Sequence, residues 1–202
     1  MYRLTNKILL RGDNMGKGVP PTILIVEDKK AETEKAIKVV SDLGYDYFHA
    51  SAWLPTYVVP EHRHPGENFG YFNSSAEAAA FMPYFKSILY MPGAKELIEN
   101  NEYIAGVLLD NNFPDHISDQ SSFNGPRTVK LCLEKGIPCV ICTAVHCDND
   151  DIDCAERAES NNFGVPVTLN KDWERAMRKL HELIVAKSQP ADVPPEEDFQ
   201  LT

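Results

Sequence analysis

Ala105-Gly-Val-Leu-Leu-Asp-Asn-Asn-Phe-Pro114 is an apolar run that stops at a carboxylate, Asp110, shortly before a proline. Gly106 to Leu109 are apolar at successive positions. An extended segment of that kind is apolar on both faces, the pattern of a central parallel strand with helices packed above and below it. Pro114 has no N–H to give to a sheet ladder, so a loop begins by Phe113. In open parallel sheets the functional crevice lies beyond the carboxyl ends of the strands. Asp110 therefore stands where chemistry is expected.

Upstream, Thr22-Ile-Leu-Ile-Val26 has the same design and ends in Glu27-Asp28. Two strands thus deliver three carboxylates to one edge. From Ala31 to Leu43 the apolar positions Ala36, Ile37, Val39, Val40 and Leu43 follow helical spacing, and Gly44 suits a helix C-terminus. A strand from Tyr45 to Ala52 then completes a right-handed βαβ unit. Downstream of Pro114, a polar loop through Gly125 precedes a helix from about Pro126 to Glu134 and a strand from Ile137 to Thr143. The acid-rich stretch His146 to Asp153 leads into a short helix ending near Ser160. Val165 to Leu169 is the last apolar run and is followed by Asn170-Lys171. An amphipathic helix, Asp172 to Ala186, places Trp173, Met177, Leu180 and Ile184 on one face. The pattern predicts an α/β fold: a parallel sheet with helices on both faces.

Between the second and third strands lies an irregular stretch, residues 53–103, expected as a helical and loop insertion. Trp53 to Phe72 is rich in Pro, Gly, His and aromatics, and Ser75 to Tyr90 has helical character interrupted at Pro83. Gly93 to Asn100 gives a further short helix. Residues 1–20 read as a flexible leader and 188–202 as a disordered acidic tail, leaving 21–187 as one domain.

Composition narrows the functional classes. The 202 residues include 20 basic and 30 acidic side chains, a net charge of −10, with no basic cluster to track a phosphate backbone. Direct nucleic-acid or anionic-membrane binding is disfavoured. No run of about 18 apolar residues and no signal-peptide core occurs, so a cytoplasmic protein is expected. The five cysteines form no disulfide framework. Cys139 and Cys142 lie three apart in a strand and so face opposite ways, unable to share one ion. His62 and His64, with His49 upstream, find no third ligand, and Cys142, His146, Cys147 and Cys154 match no standard zinc spacing. Asp148, Asp150, Asp151 and Asp153 lack the glycine of a calcium loop. Trp53, Tyr57, Phe69, Tyr71 and Phe72 read as anchors of a long loop or as a partner surface.

The strand ends present Glu27-Asp28, Asp110, Thr143 and Lys171 in that order. With Ile-Leu-Ile-Val-Glu27-Asp28, Leu-Leu-Asp110-Asn-Asn-Phe-Pro114, Thr143-Ala144 and Lys171, the chain resembles the CheY-like receiver domain of two-component response regulators. The resemblance implies a doubly wound, five-stranded parallel sheet of order 2-1-3-4-5, that Asp110 accepts a phosphoryl group and that Mg²⁺ is bound by Glu27, Asp28 and Asp110 with the backbone carbonyl of Asn112. Thr143 and Lys171 would then contact the phosphoryl oxygens. It also implies a histidine kinase or histidine phosphotransfer protein as donor, and a downstream protein target. The bare chemistry agrees, because three clustered carboxylates require a cation, and a hard, oxygen-liking one suits them.

Two positions depart from that family's pattern. Thr168 stands where an aromatic switch residue is usual, and Asp172 where proline commonly follows the lysine. A degenerate, non-phosphorylated receiver-like adaptor is the first alternative. A Toprim-like metal-dependent nucleic-acid enzyme is the second, disfavoured by the Asn at 112 where a second acid is needed and by the negative charge.

Overall fold

The computed structural model describes residues 20–59, 70–81, 89–117, 124–144 and 164–188. In chain order the elements are β1 (Thr22–Val26), α1 (Lys30–Asp42), β2 (Asp46–Ala50), β3 (Thr56–Val59), β4 (Gly70–Phe72), α2 (Ser75–Phe81), β5 (Leu89–Met91), α3 (Ala94–Asn100), β6 (Ile104–Leu109), α4 (Gly125–Lys135), β7 (Cys139–Cys142), β8 (Val167–Thr168) and α5 (Trp173–Ser188). Two sheets form. The larger has the order β2-β1-β6-β7-β8, all parallel, which is 2-1-3-4-5 when only its own strands are counted. The fold class read from the apolar runs is therefore the one observed.

Alternation along the central strands assigns their two faces. Leu24, Val26, Val107, Leu109, Cys139 and Ile141 face α3 and α4, packing with Ala94, Ile98, Val129 and Cys132. Ile23, Ile25, Leu108, Val140 and Cys142 face α1 and α5, packing with Ala36, Val40, Trp173, Met177 and Leu180. Every residue of β1 and β7 is buried, as a strand covered on both sides must be. Cys139 and Cys142 fall on opposite faces of the sheet, as their spacing requires. Burial pushes the Cys142 thiol up to about 12. The Cys132 thiol is also raised above its ordinary value, by its hydrogen bond with the free Cys139 thiol and by burial.

The stretch between β2 and β6 differs from a helical and loop insertion. It contains a second, antiparallel sheet of order β4-β3-β5, with Tyr57 opposite both Phe72 and Tyr90. Of the expected helix from Ser75 to Tyr90, Ser75–Phe81 is helical, residues 82–88 lie outside the described residues, and Tyr90 is in a strand instead. The reason is length: strands of three or four residues show too few alternations to stand out from an aromatic-rich loop. The short helix α3 is no decoration either. Ala94 and Ile98 are buried against the large sheet, so α3 is the crossover helix between β2 and β6. Trp53 is likewise a core residue. Leu43, placed on the buried stripe of α1 by its spacing, is exposed at the helix end instead. Residues 1–19 of the leader, His62, His64, Phe69, Pro83, the acid-rich stretch from His146 to Asp153, the expected helix near Ser160, Cys147, Cys154 and the tail beyond Ser188 lie outside the described residues.

Candidate functional site

The ends of β1, β6 and β7 and the turn after β8 meet at one edge of the large sheet. The β1–β6 ladder runs one step past both strands, with Asp110 N donating to Val26 O at 2.8 Å, so Asp110 stands beside Glu27. Glu27 N donates to Ala50 O at 3.1 Å, which extends the β1–β2 ladder by the same step. Glu27, Asp28 and Asp110 each bring a carboxylate oxygen to within 4.8 Å of the other two. Glu27 and Asp110 are buried, at 0% and 4% exposure.

Lys171 enters this cluster from the opposite end of the chain. Its Nζ lies 2.5 Å from Glu27 Oε2 and 2.9 Å from Asp110 Oδ1. Asn170 and Lys171 adopt left-handed φ values of 60° and 52°, and a tight turn follows, with Asp172 N donating to Leu169 O. Two successive left-handed residues without glycine are costly, roughly 1–3 kcal/mol each, and persist only where surroundings hold them. The restraints here are Lys171 N donating to Thr143 O at 3.0 Å and the docking of α5 immediately afterwards. Asp172, in the place where the family pattern has proline, accepts from Arg175 N at 2.9 Å and caps α5. Thr143 is buried at the end of β7, its N–H donating to Thr168 O at 2.9 Å. The backbone thus joins Thr143, Thr168 and Lys171. The Thr168 hydroxyl donates to Ile141 O, inside the sheet.

Electrostatics follow from burial. Desolvation raises the Glu27 carboxyl from 4.5 to about 7, and neighbouring Asp110 adds to that, while the bonds from Lys171 and Lys29 N oppose it. Burial alone would lower the Lys171 ammonium, but Asp110 and Glu27 outweigh it and hold it above its ordinary value. Three carboxylate oxygens that lie within 4.8 Å of one another are a donor set that fits a divalent cation. Few carboxylates and room for waters are what a small hard cation such as Mg²⁺ takes. Asn112, the expected carbonyl donor, is exposed in the loop after Asp110.

Several residues around the site carry no signal in the sequence. His49 does not join a histidine cluster among the described residues; its Nε2 lies 2.9 Å from the Glu27 carbonyl oxygen and so must carry the proton. Burial holds that imidazole below its ordinary value. Trp173 Nε1 donates to Glu32 Oε2 at 3.0 Å and its ring lies 5.2 Å from Lys171 Nζ. Asn124 Nδ2 donates to Phe113 O at 2.8 Å, and Gly125 N to Asn111 O at 2.9 Å. A Cβ on Gly125 would come within 2.8 Å of Asn111 Cα, so only glycine lets the loop lie this close to α4. All these pairings join residues far apart in sequence or go to backbone atoms, and neither leaves a readable spacing.

Fold and site together define a doubly wound α/β domain with a triad of acids, two of them buried, and a lysine at the carboxyl edge of its sheet. No family model matches the chain, and no curated protein does. Solved structures similar to it include several response regulator receiver domains. The CheY-like receiver domain protein of Methanospirillum hungatei JF-1 is 16% identical with a TM-score of 0.47, over 84% of this chain and 97% of that one. The Francisella response regulator 1452 receiver domain is 14% identical with a TM-score of 0.47, over 83% and 98%. The receiver domain protein of Clostridium thermocellum is 12% identical with a TM-score of 0.43, over 82% and 94%. Among the described residues no helix is long and apolar enough to cross a membrane.

Proposed function

We propose that the chain is a phosphoacceptor that takes a phosphoryl group onto Asp110 and signals by the rearrangement that follows. The supporting observation is the triad of buried Glu27, half-buried Asp28 and buried Asp110, with Lys171 bridging Glu27 and Asp110. Asp110 Oδ1 accepts from Asn111 N at 2.7 Å and from Lys171 Nζ, which leaves Oδ2 as the attacking oxygen. Attack forms an Oδ2–P bond as the bond from phosphorus to the donor breaks, its electron pair leaving with the donor. A Mg²⁺ ion held by Glu27, Asp28, Asp110 and the Asn112 carbonyl supplies, when bound, charge neutralisation on the phosphoryl oxygens. Lys171 shifts from pairing with carboxylates to pairing with the aspartyl phosphate, and the Thr143 hydroxyl donates to a second phosphoryl oxygen. Water attack on phosphorus restores the carboxylate and releases phosphate. The donor is a histidine kinase or histidine phosphotransfer protein, and the output is binding of a protein target in the cytoplasm.

Intact mass after incubation with acetyl phosphate tests this. One added phosphoryl group is expected with Mg²⁺, and none after Asp110→Asn or on chelation. An Asp110→Asn protein that labels like wild type would overturn the assignment. An unlabelled wild type that still binds Mg²⁺ would favour the adaptor reading.

A further inference from the structure

The loop that leaves β6 at Asp110 is fastened along its whole described length. Its first half lies on α4, through Gly125 N to Asn111 O and Asn124 Nδ2 to Phe113 O. Its second half lies on the root of the antiparallel sheet. Trp53 N donates to Pro114 O at 2.9 Å, Leu54 N to Asp115 O at 2.8 Å and Ile117 N to Thr56 Oγ1 at 3.4 Å, and His116 Nδ1 is 3.2 Å from Pro55 O. Arg127 closes the seam from outside, its NH1 3.0 Å from Asp115 Oδ1 and 2.8 Å from Asn124 Oδ1, with the guanidinium 5.1 Å above the Trp53 ring.

We propose that the segment Trp53 to Thr56 positions the Asp110–Ile117 loop, so that occupation of the acid site and the conformation of the antiparallel sheet are thermodynamically coupled. This rests on the phosphoacceptor reading. Thr56 is both the last point of the seam and the first residue of β3, the central strand of the small sheet, and it is 1% exposed. Phe113 and Pro114 are buried with it. A loop shift at Asn111 or Asn112 must either break hydrogen bonds in a buried setting, which is costly, or carry β3 along. The root has no slack on its other side: Ala94 N donates to Ala52 O, Lys95 N to Trp53 O, and a Cβ on Gly93 would lie 2.4 Å from the Leu54 carbonyl carbon. Coupling between two sites is reciprocal, so whatever holds the small sheet in one arrangement also sets cation and phosphoryl affinity at Asp110.

The test uses the full chain. Thr56→Val keeps the side chain's size and removes the acceptor for Ile117 N–H; Thr56→Ser keeps the hydroxyl. The Mg²⁺ concentration that half-saturates acetyl phosphate labelling is expected to rise about 5-fold or more in Thr56→Val, with the rate at saturating Mg²⁺ little changed and Thr56→Ser close to wild type. In wild type, loading with Mg²⁺ and beryllofluoride is expected to change amide hydrogen exchange at 53–59 and 89–91, and Asp110→Asn is expected to show no such change. A labelled wild type with unaltered exchange there, or equal half-saturation in all three proteins, overturns the coupling alone. A wild type that neither labels nor takes up beryllofluoride overturns the phosphoacceptor reading and the coupling with it.

Discussion

The two sheets solve the same problem in different ways. The parallel sheet hides its inner strands: β1 and β7 are buried at every position and pack on helices above and below, and it is the edge strand β2 that turns Tyr47 and Phe48 outward. The antiparallel sheet has strands of three or four residues and turns Leu89 and Tyr90 toward solvent at 39% and 46% exposure. One sheet is held by its own core. The other is held at its root, by the backbone bonds that tie Trp53 and Leu54 to the loop after Asp110. A framework that places reactive groups has to be rigid, whereas an element that reports on them has to be able to yield.

Breaking the rigid half should have the larger effects. Lys171→Met leaves Glu27 and Asp110 buried without their cation and is expected to cost about 3–5 kcal/mol in metal-free protein. Urea unfolding checks this, and added Mg²⁺ should restore more stability to the variant than to wild type, because it binds the folded state. Leu108→Ala, at the centre of β6 and fully buried, should cost about 2–5 kcal/mol by the same assay.

Acid pH sharpens the comparison within the site. Glu27 takes up its proton near pH 7 when folded but only near 4.5 when unfolded. Between those values the folded state binds the extra proton, so this group's contribution to stability grows as pH falls and is absent above pH 7. From pH 8 to 4.5, the stability of metal-free wild type relative to Glu27→Gln should therefore rise by about 3 kcal/mol. Stabilisation by Mg²⁺ should weaken over the same interval, since protons compete for the carboxylate. The smallest effect belongs to the small sheet: Leu89→Ala should cost less than about 1 kcal/mol, its side chain being well exposed.

The same difference governs what could be read from the chain. Ile23 to Val26 and Val107 to Leu109 are apolar at each position because both faces are covered, and each run ends at an acid of the cluster, Glu27 or Asp110. That made the parallel strands and the triad legible, together with Lys171 at the end of the last run. The small sheet gave no such signal: Thr56 to Val59 pairs through backbone atoms with segments that follow it in the chain, and its polar and aromatic side chains fit a loop equally well. Gly93 to Asn100 was visible as a helix, but its burial against Leu24 and Leu109 depends on the sheet it meets. His49 and Trp173 were unreadable for a similar cause: what they hold is a backbone carbonyl in one case and a carboxylate on another helix in the other.

The chain has two tryptophans, and each stands against a different wall of the acid site. The Trp173 ring lies beside the Lys171 ammonium, and Trp53 lies under Arg127 at the seam of the loop. An indole's excited state is more polar than its ground state, so a positive charge that approaches or withdraws shifts the colour of its emission. Lys171 moving toward a phosphoryl group would retune one indole, and a loop shift would retune the other. The protein thus contains two native optical probes, and single Trp→Phe replacements would separate events at the ammonium from events at the seam, without any attached dye.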